Sequence, residues 1–197
     1  MSNFNLPIYQ YISQGRSTTE QLNGIQKVLD QGIKFIQIRW KESETIQLIQ
    51  LGLKVRKLCD AYQALLIIND HWEIQPEINA DGVHLGLTDA SITQVRVSLG
   101  SNVILGGTAN TFQDVKQRIA EKADYIGLGP YRFTSTKTKL SPILGLTGYE
   151  EILQQLKEEK LAIPTIYAIG GIEEQDISPL QGIGIYGIAA STLFLNQ

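Results

Sequence analysis

The stretch Asp124–Lys139, DYIGLGPYRFTSTKTK, sets the terms on which the rest of the chain is read. Its first part, Tyr125–Leu128, is a short apolar run of strand character. Gly129-Pro130 breaks that run, because proline has no N–H to give to a sheet ladder. A polar loop follows, carrying Thr134, Ser135, Thr136 and Lys137. Hydroxyls, backbone amides and one ammonium within a few residues suit an anion, above all a phosphate. A solvated Thr/Lys loop fits the same letters equally well.

An apolar strand that opens into a polar loop recurs along the whole chain. Strands are predicted at Pro7–Ser13, Ile33–Arg39, Ala64–Asp70, Asp81–Gly86, Asn102–Thr108, Tyr125–Leu128, Ile163–Gly171 and Gly184–Ser191. Between them lie helical patterns: one opening at Ser17–Glu20, then Ser43–Tyr62, Trp72–Ile78, Ser91–Leu99, Thr111–Lys122, Gly148–Glu159 and Glu173–Leu180, with a last turn after Thr192. The strands are continuous apolar runs rather than alternating ones, which is the pattern of a parallel sheet covered on both faces. Eight βα units close as a barrel. The prediction is one α/β domain over residues 1–197, a (β/α)8 TIM barrel. Its 197 residues fall just under the usual lower limit of about 200 for that fold, so the outer helices must be short. A doubly wound open sheet is the second choice, weakened by the lack of a GxGxxG turn after the first strand.

Composition narrows the class. A formal net charge of -3 gives no basic face for nucleic acid. Cys59 is the sole cysteine, so no intrachain disulfide or cysteine metal cluster forms; its place in LGLKVRKLCDAY reads as the buried side of a helix. The opening MSNFNLPIYQ shows no basic segment leading into a long apolar run, and no stretch reads as a membrane span. The expectation is a cytoplasmic protein that acts on small molecules. Self-association is left open.

In a barrel of this kind the working groups sit at the C-terminal ends of the strands. Gln37, Arg39 and Lys41 end the second strand, with Gln37 and Arg39 on one face. Asn69 and Asp70 end the third, Asp89 follows the fourth, and Thr108 and Asn110 lie at the end of the fifth. Gly170-Gly171 closes the seventh, and Ser191-Thr192 follows the eighth. Arg39 at the mouth calls for an anion or for a salt bridge to Asp70. Asp70 and Asp89 come from neighbouring strands and can share a hard cation such as Mg²⁺ with diphosphate oxygens and water; Asp89 can equally cap a helix ahead of Ala90. Gly170-Gly171 and the Gly187–Thr192 segment have the character of a backbone phosphate cradle. No Ser-His-Asp or Cys-His set is visible. His84 lies within an apolar strand as a core group, and His71 opens a helix.

The pieces QIRWK, IINDHWEI, ADGVHLGLTD, ILGGTANT, ADYIGLGPYRFTSTK and AIGGI, in that order, resemble the thiamine phosphate synthase family. The resemblance covers almost the whole chain. It implies that Gln37, Arg39, Lys41, Asn69, Thr108 and Lys137 hold an aminopyrimidine diphosphate, with Arg39, Lys41, Lys137 and Thr108 aiding its departure. It assigns Mg²⁺ to Asp70 and Asp89, and a thiazole phosphate to Thr134, Ser135, Thr136, Gly171, Ser191 and Thr192, partly through backbone amides. The implied reaction joins hydroxymethylpyrimidine diphosphate to hydroxyethylthiazole phosphate, or its carboxylate, by a dissociative, carbocation-like route.

The chain departs from the family pattern at Trp40, where Glu is usual, at Leu87 for Gln, at Thr108 for Ser, and at Arg132-Phe133 for an apolar-Pro pair. Arg132 becomes an added candidate for diphosphate. A related thiazole tautomerase is the nearest rival. It works through a histidine at the position held here by Asn110 and tends to lack the N-D and T-x-T-K features. A non-catalytic sensor of thiamine phosphates is the third reading.

Overall fold

The computed structural model describes residues 4–133 and 142–196. Eight parallel strands close a barrel in chain order: β1 (Tyr9–Ile12), β2 (Phe35–Ile38), β3 (Leu65–Asn69), β4 (Gly82–Leu85), β5 (Ile104–Ala109), β6 (Tyr125–Leu128), β7 (Ile166–Ile169) and β8 (Gly187–Ala190). Closure is made by β1 and β8, with Tyr9 opposite Ile188 and Tyr11 opposite Ala190. The open-sheet alternative is thereby excluded.

The helices lie outside: α1 (Thr18–Asp30), α2 (Thr45–Tyr62), α3 (Gln75–Ile78), α4 (Ile92–Leu99), α5 (Phe112–Ala120), α6 (Gly145–Glu158), α7 (Glu174–Gly182) and α8 (Thr192–Leu195). Ser17, Ser91 and Thr111 cap α1, α4 and α5 with their side-chain oxygens, the usual remedy for unpaired amides at a helix start. A 3-10 turn, Trp72–Ile74, precedes α3, so the single helix predicted at Trp72–Ile78 is two pieces.

Each strand face has its own role. Outward residues such as Ile36, Leu66, Val83, Leu105 and Ile126 pack against the helices, and buried Cys59 belongs to that layer. Inward residues fill the barrel: Ile12, Phe35, Ile67, Ile104, Tyr125, Tyr167 and Ala189, with Leu6 closing the bottom. Phe35, Tyr125 and Tyr167 meet edge-to-face at 5.5–5.7 Å, a favoured geometry for aromatic rings. Room for the Tyr125 ring comes from Gly106, where a Cβ would sit 2.1 Å from the ring.

Most predicted strands are longer than the observed ones. β7 spans Ile166–Ile169 rather than Ile163–Gly171, and β8 spans Gly187–Ala190 rather than Gly184–Ser191. Apolar character extends beyond the ladder in two ways: Ile185 is buried ahead of β8, whereas Ile163 and Tyr186 are apolar yet exposed. In β7 the ladder ends where Gly170 and Gly171 turn to φ values of 90° and 68°, a region open to glycine at no steric cost.

Candidate active site

The C-terminal rim gathers the predicted polar residues in two groups. On the β2–β5 side, Gln37 is buried and donates through Nε2 to Asn69 Oδ1 at 2.9 Å. Its own Oε1 is also buried and has no partner among the described residues. An unpaired buried carbonyl is costly, so this one marks a place for a ligand N–H.

Arg39 lies one step further out on the same face, its backbone N–H tied to Ser13 Oγ at 2.9 Å. Burial lowers the Arg39 pKa, with Asp70 acting in the opposite sense. Among the described residues its guanidinium forms no ion pair within 4.0 Å, so the Arg39–Asp70 salt bridge allowed by the sequence does not form. Lys41 Nζ is the cation beside Asp70, 4.0 Å from Oδ2.

Asp70 follows β3 in a left-handed turn, φ 62°, with its amide bonded to His84 O at 2.9 Å. The turn carries the carboxylate across to β4. Asp89 Oδ2 accepts from Gly86 N–H at 2.6 Å. The helix-cap alternative for Asp89 falls, because Ser91 caps α4. A methyl placed on Gly86 would lie 2.8 Å from Asp89 Oδ2 and 4.0 Å from Asp70 Oδ1, so the two carboxylates flank one point. Burial and the facing Asp89 push the Asp70 pKa up from 3.8 to about 6. Two facing carboxylates of this kind want a cation between them. No group of three His, Cys, Asp or Glu suited to a metal exists among the described residues. Two carboxylates could still hold a hard divalent cation that keeps its other positions for water and phosphate oxygens.

Thr108 is positioned from below. His84, buried as predicted, bridges Tyr125 OH at 3.1 Å and Thr108 Oγ1 at 3.0 Å, and Gln10 Nε2 donates to the same Tyr125 OH at 3.1 Å. This polar chain runs through the barrel interior and ends at the mouth.

The second group lies on the β7–β8 side. Gly171 follows β7, Ser191 is half-buried, and Thr192 opens α8. Thr134, Ser135, Thr136 and Lys137 fall outside the described residues. On either side of them, the described residues are joined by bonds from Leu144 N to Pro130 O at 2.9 Å and Gly145 N to Tyr131 O at 3.0 Å.

Two arginines have roles that the sequence did not reveal. Arg118 of α5 is buried and reaches under the rim, donating to Gly86 O at 2.8 Å and Thr108 O at 3.1 Å, and pairing with Glu121 at 2.7 Å. It holds the strand ends beside Asp89 and Thr108. The signal lay in Gly107, where a Cβ would meet Arg118 Cδ at 2.7 Å. Arg132, an added candidate for diphosphate, is engaged elsewhere: it donates to both carboxylate oxygens of Asp176 and to Gly171 O. That reading is corrected. Asn110, the position of the tautomerase histidine, donates through Nδ2 to Gly129 O and takes the Asp114 carboxylate on its own N–H at 2.9 Å.

A closed (β/α)8 barrel with cations, amide-type groups and paired carboxylates on its C-terminal rim places the chain among TIM-barrel proteins built to take anionic ligands. The family model for thiamine monophosphate synthase matches residues 8–194, and the chain belongs to that family. Similar proteins include thiamine-phosphate synthase from Flavobacterium psychrophilum, 52% identical over 93% of this chain and 89% of that one. The Flavobacterium johnsoniae thiamine-phosphate synthase is 50% identical over 92% and 85%. Among solved structures, thiamine phosphate pyrophosphorylase from Pyrococcus furiosus superposes with a TM-score of 0.81 at 25% identity, covering 95% of this chain and 87% of that one.

Proposed function

We propose that the chain condenses hydroxymethylpyrimidine diphosphate with hydroxyethylthiazole phosphate, or its carboxylate, to give thiamine phosphate and diphosphate. The observation that carries this reading is the grouping of Gln37, Arg39, Lys41, Asn69, Asp70, Asp89 and Thr108 on one half of the rim, with Gly171, Ser191 and Thr192 on the other. The first half suits a diphosphate bearing an aminopyrimidine, and the second a monophosphate.

The chemistry asks little of proton-transfer groups. The bond from the pyrimidine methylene to the diphosphate oxygen breaks, and its electron pair leaves with diphosphate. The amino group of the ring spreads the positive charge that remains. The thiazole nitrogen then gives its lone pair to the methylene carbon, forming the new C–N bond. From the carboxylate substrate, CO₂ leaves in addition, and the electron pair left on that ring carbon takes up a proton from water.

The protein's part is to hold the ring, stabilise a departing anion and align the nitrogen. Gln37 Oε1 is placed to accept from the pyrimidine amino group, with Asn69 fixing the amide's orientation. Arg39, Lys41 and the Thr108 hydroxyl meet the diphosphate. Asp70 and Asp89 would hold Mg²⁺, which neutralises charge on the diphosphate when bound. By sequence match alone, Lys137 joins this group, and Thr134, Ser135 and Thr136 join the thiazole phosphate group. The tautomerase reading lacks its histidine, and Asn110 is tied into the loop structure instead.

Incubation with both substrates and Mg²⁺ tests the proposal. Thiamine phosphate and diphosphate should appear in equal amounts. Diphosphate with no thiamine phosphate, or no reaction of either substrate, would remove it.

A further inference from the structure

The contacts of Arg132 are concentrated on the turn that follows β7. Its backbone N–H donates to Gly170 O at 2.9 Å, and its Nη1 donates to Gly171 O at 3.0 Å. The guanidinium is anchored in turn by both oxygens of Asp176, a buried carboxylate that also accepts from Glu173 N–H at 2.8 Å within the cap of α7. One residue therefore grips two successive carbonyls. In a trans peptide the N–H points opposite to the C=O. The N–H groups of Gly171 and Ile172 are thus both turned away from Arg132. Because β7 lies between β6 and β8, away from the β6 side means toward β8. Among the described residues neither amide donates a hydrogen bond. Successive peptides in an extended strand point alternately left and right. Here the positive φ of Gly170 and Gly171 breaks that alternation, and backbone amides in such a turn can serve an anion.

We propose that Arg132 is a positioning residue for the thiazole phosphate: by holding the carbonyls of Gly170 and Gly171, it aims the Gly171 and Ile172 amides at the phosphate. It also pairs with Asp176, and more loosely with Glu173 at 3.9 Å, behind the two amides. This rests on the reading of the β7–β8 rim given above.

The test compares Arg132→Ala and Arg132→Lys with the unaltered chain, varying each substrate in steady state and titrating thiazole phosphate by calorimetry without the other substrate. Arg132→Ala should weaken thiazole phosphate in both KM and Kd by about tenfold to a hundredfold, the worth of one hydrogen bond to a charged group. The KM for pyrimidine diphosphate should stay within about twofold, the spread expected when a contact on the far side of the rim is left intact. Arg132→Lys keeps a cation beside Asp176 but not the fork, and should fall between the two; it also decides the matter if the alanine variant does not fold. Thiazole phosphate affinity unchanged in the variants, or both substrates weakened alike, would overturn the proposal. If the unaltered chain binds thiazole phosphate but makes no thiamine phosphate, the functional reading fails while the calorimetric comparison still judges Arg132.

Discussion

Replacing Asp70 by Asn should raise stability and abolish function, two effects of opposite sign from one oxygen. Asp70 is held in the folded chain at about 6 instead of 3.8, by burial first and by Asp89 second. A group whose folded pKa is raised binds its proton more tightly when folded. Its ionisation therefore opposes folding, with no cost below pH 3.8 and the full cost above about 6. At about 1.4 kcal/mol per tenfold, the cost at pH 8 without a cation is at most ~3 kcal/mol. With 28% of the side chain open to solvent, screening brings the expected figure to about 1–3 kcal/mol. Asp70→Asn removes that charge without changing shape. Urea melts in EDTA should show the variant more stable at pH 8, with the advantage fading as the pH drops below about 6. Mg²⁺ should stabilise the original protein by mass action and leave the variant unmoved, while coupling of the substrates falls by at least about 100-fold. A variant less stable than the original at pH 8 in EDTA would refute the facing-carboxylate account.

Arg39→Ala should lower kcat about 100- to 1000-fold, the usual loss for one preorganised contact to developing charge, as read from initial rates of thiamine phosphate formation; a normal kcat would remove Arg39 from the leaving group. Gly106→Ala would put a Cβ 2.1 Å from Tyr125, a ring held by Phe35, Tyr167, Gln10 and His84. It should cost at least about 1–3 kcal/mol by overpacking, and an unchanged urea midpoint would contradict the barrel interior described. Burial raises the Asp176 carboxyl, but Arg132 and the Glu173 amide together bring it below the usual carboxylate range. The stability from this pair is present at neutral pH and lost as the pH falls through that depressed folded value. The stability gap between the original and Arg132→Ala should therefore narrow in acid; a gap constant from neutral pH into strong acid would exclude the pair as its source.

The fold was legible because eight continuous apolar runs ended in polar loops. Inward Phe35 and Ile67 and outward Ile36 and Leu66 are all apolar, as a doubly covered sheet requires. Gln37, Asn69, Asp70 and Thr108 stood out because polar groups at the ends of such runs need a reason to be there. Strand limits were less clear: Ile163 and Pro164 belong to the approach to β7, and Ile163 is exposed there despite its apolar side chain. The roles of Arg118 and Arg132 escaped the sequence for a common reason. A long side chain can carry its charge far from its own backbone, so Arg118 drew no notice within the helix predicted at Thr111–Lys122, and Arg132 was read as a candidate for diphosphate. Their partners, Gly86 and Thr108 for one and Asp176 and Gly171 for the other, lie 10 to 44 residues away in the chain.

The two-site rim is tested most directly by a crystal structure with an unreactive pyrimidine diphosphate analogue, thiazole phosphate and Mg²⁺ bound together. The diphosphate should lie among Arg39, Lys41, Asp70 and Asp89, with the cation on both carboxylates and the monophosphate on the Gly171 amide. A diphosphate seated on the β7–β8 side, or a cation that touches neither Asp70 nor Asp89, would contradict the account.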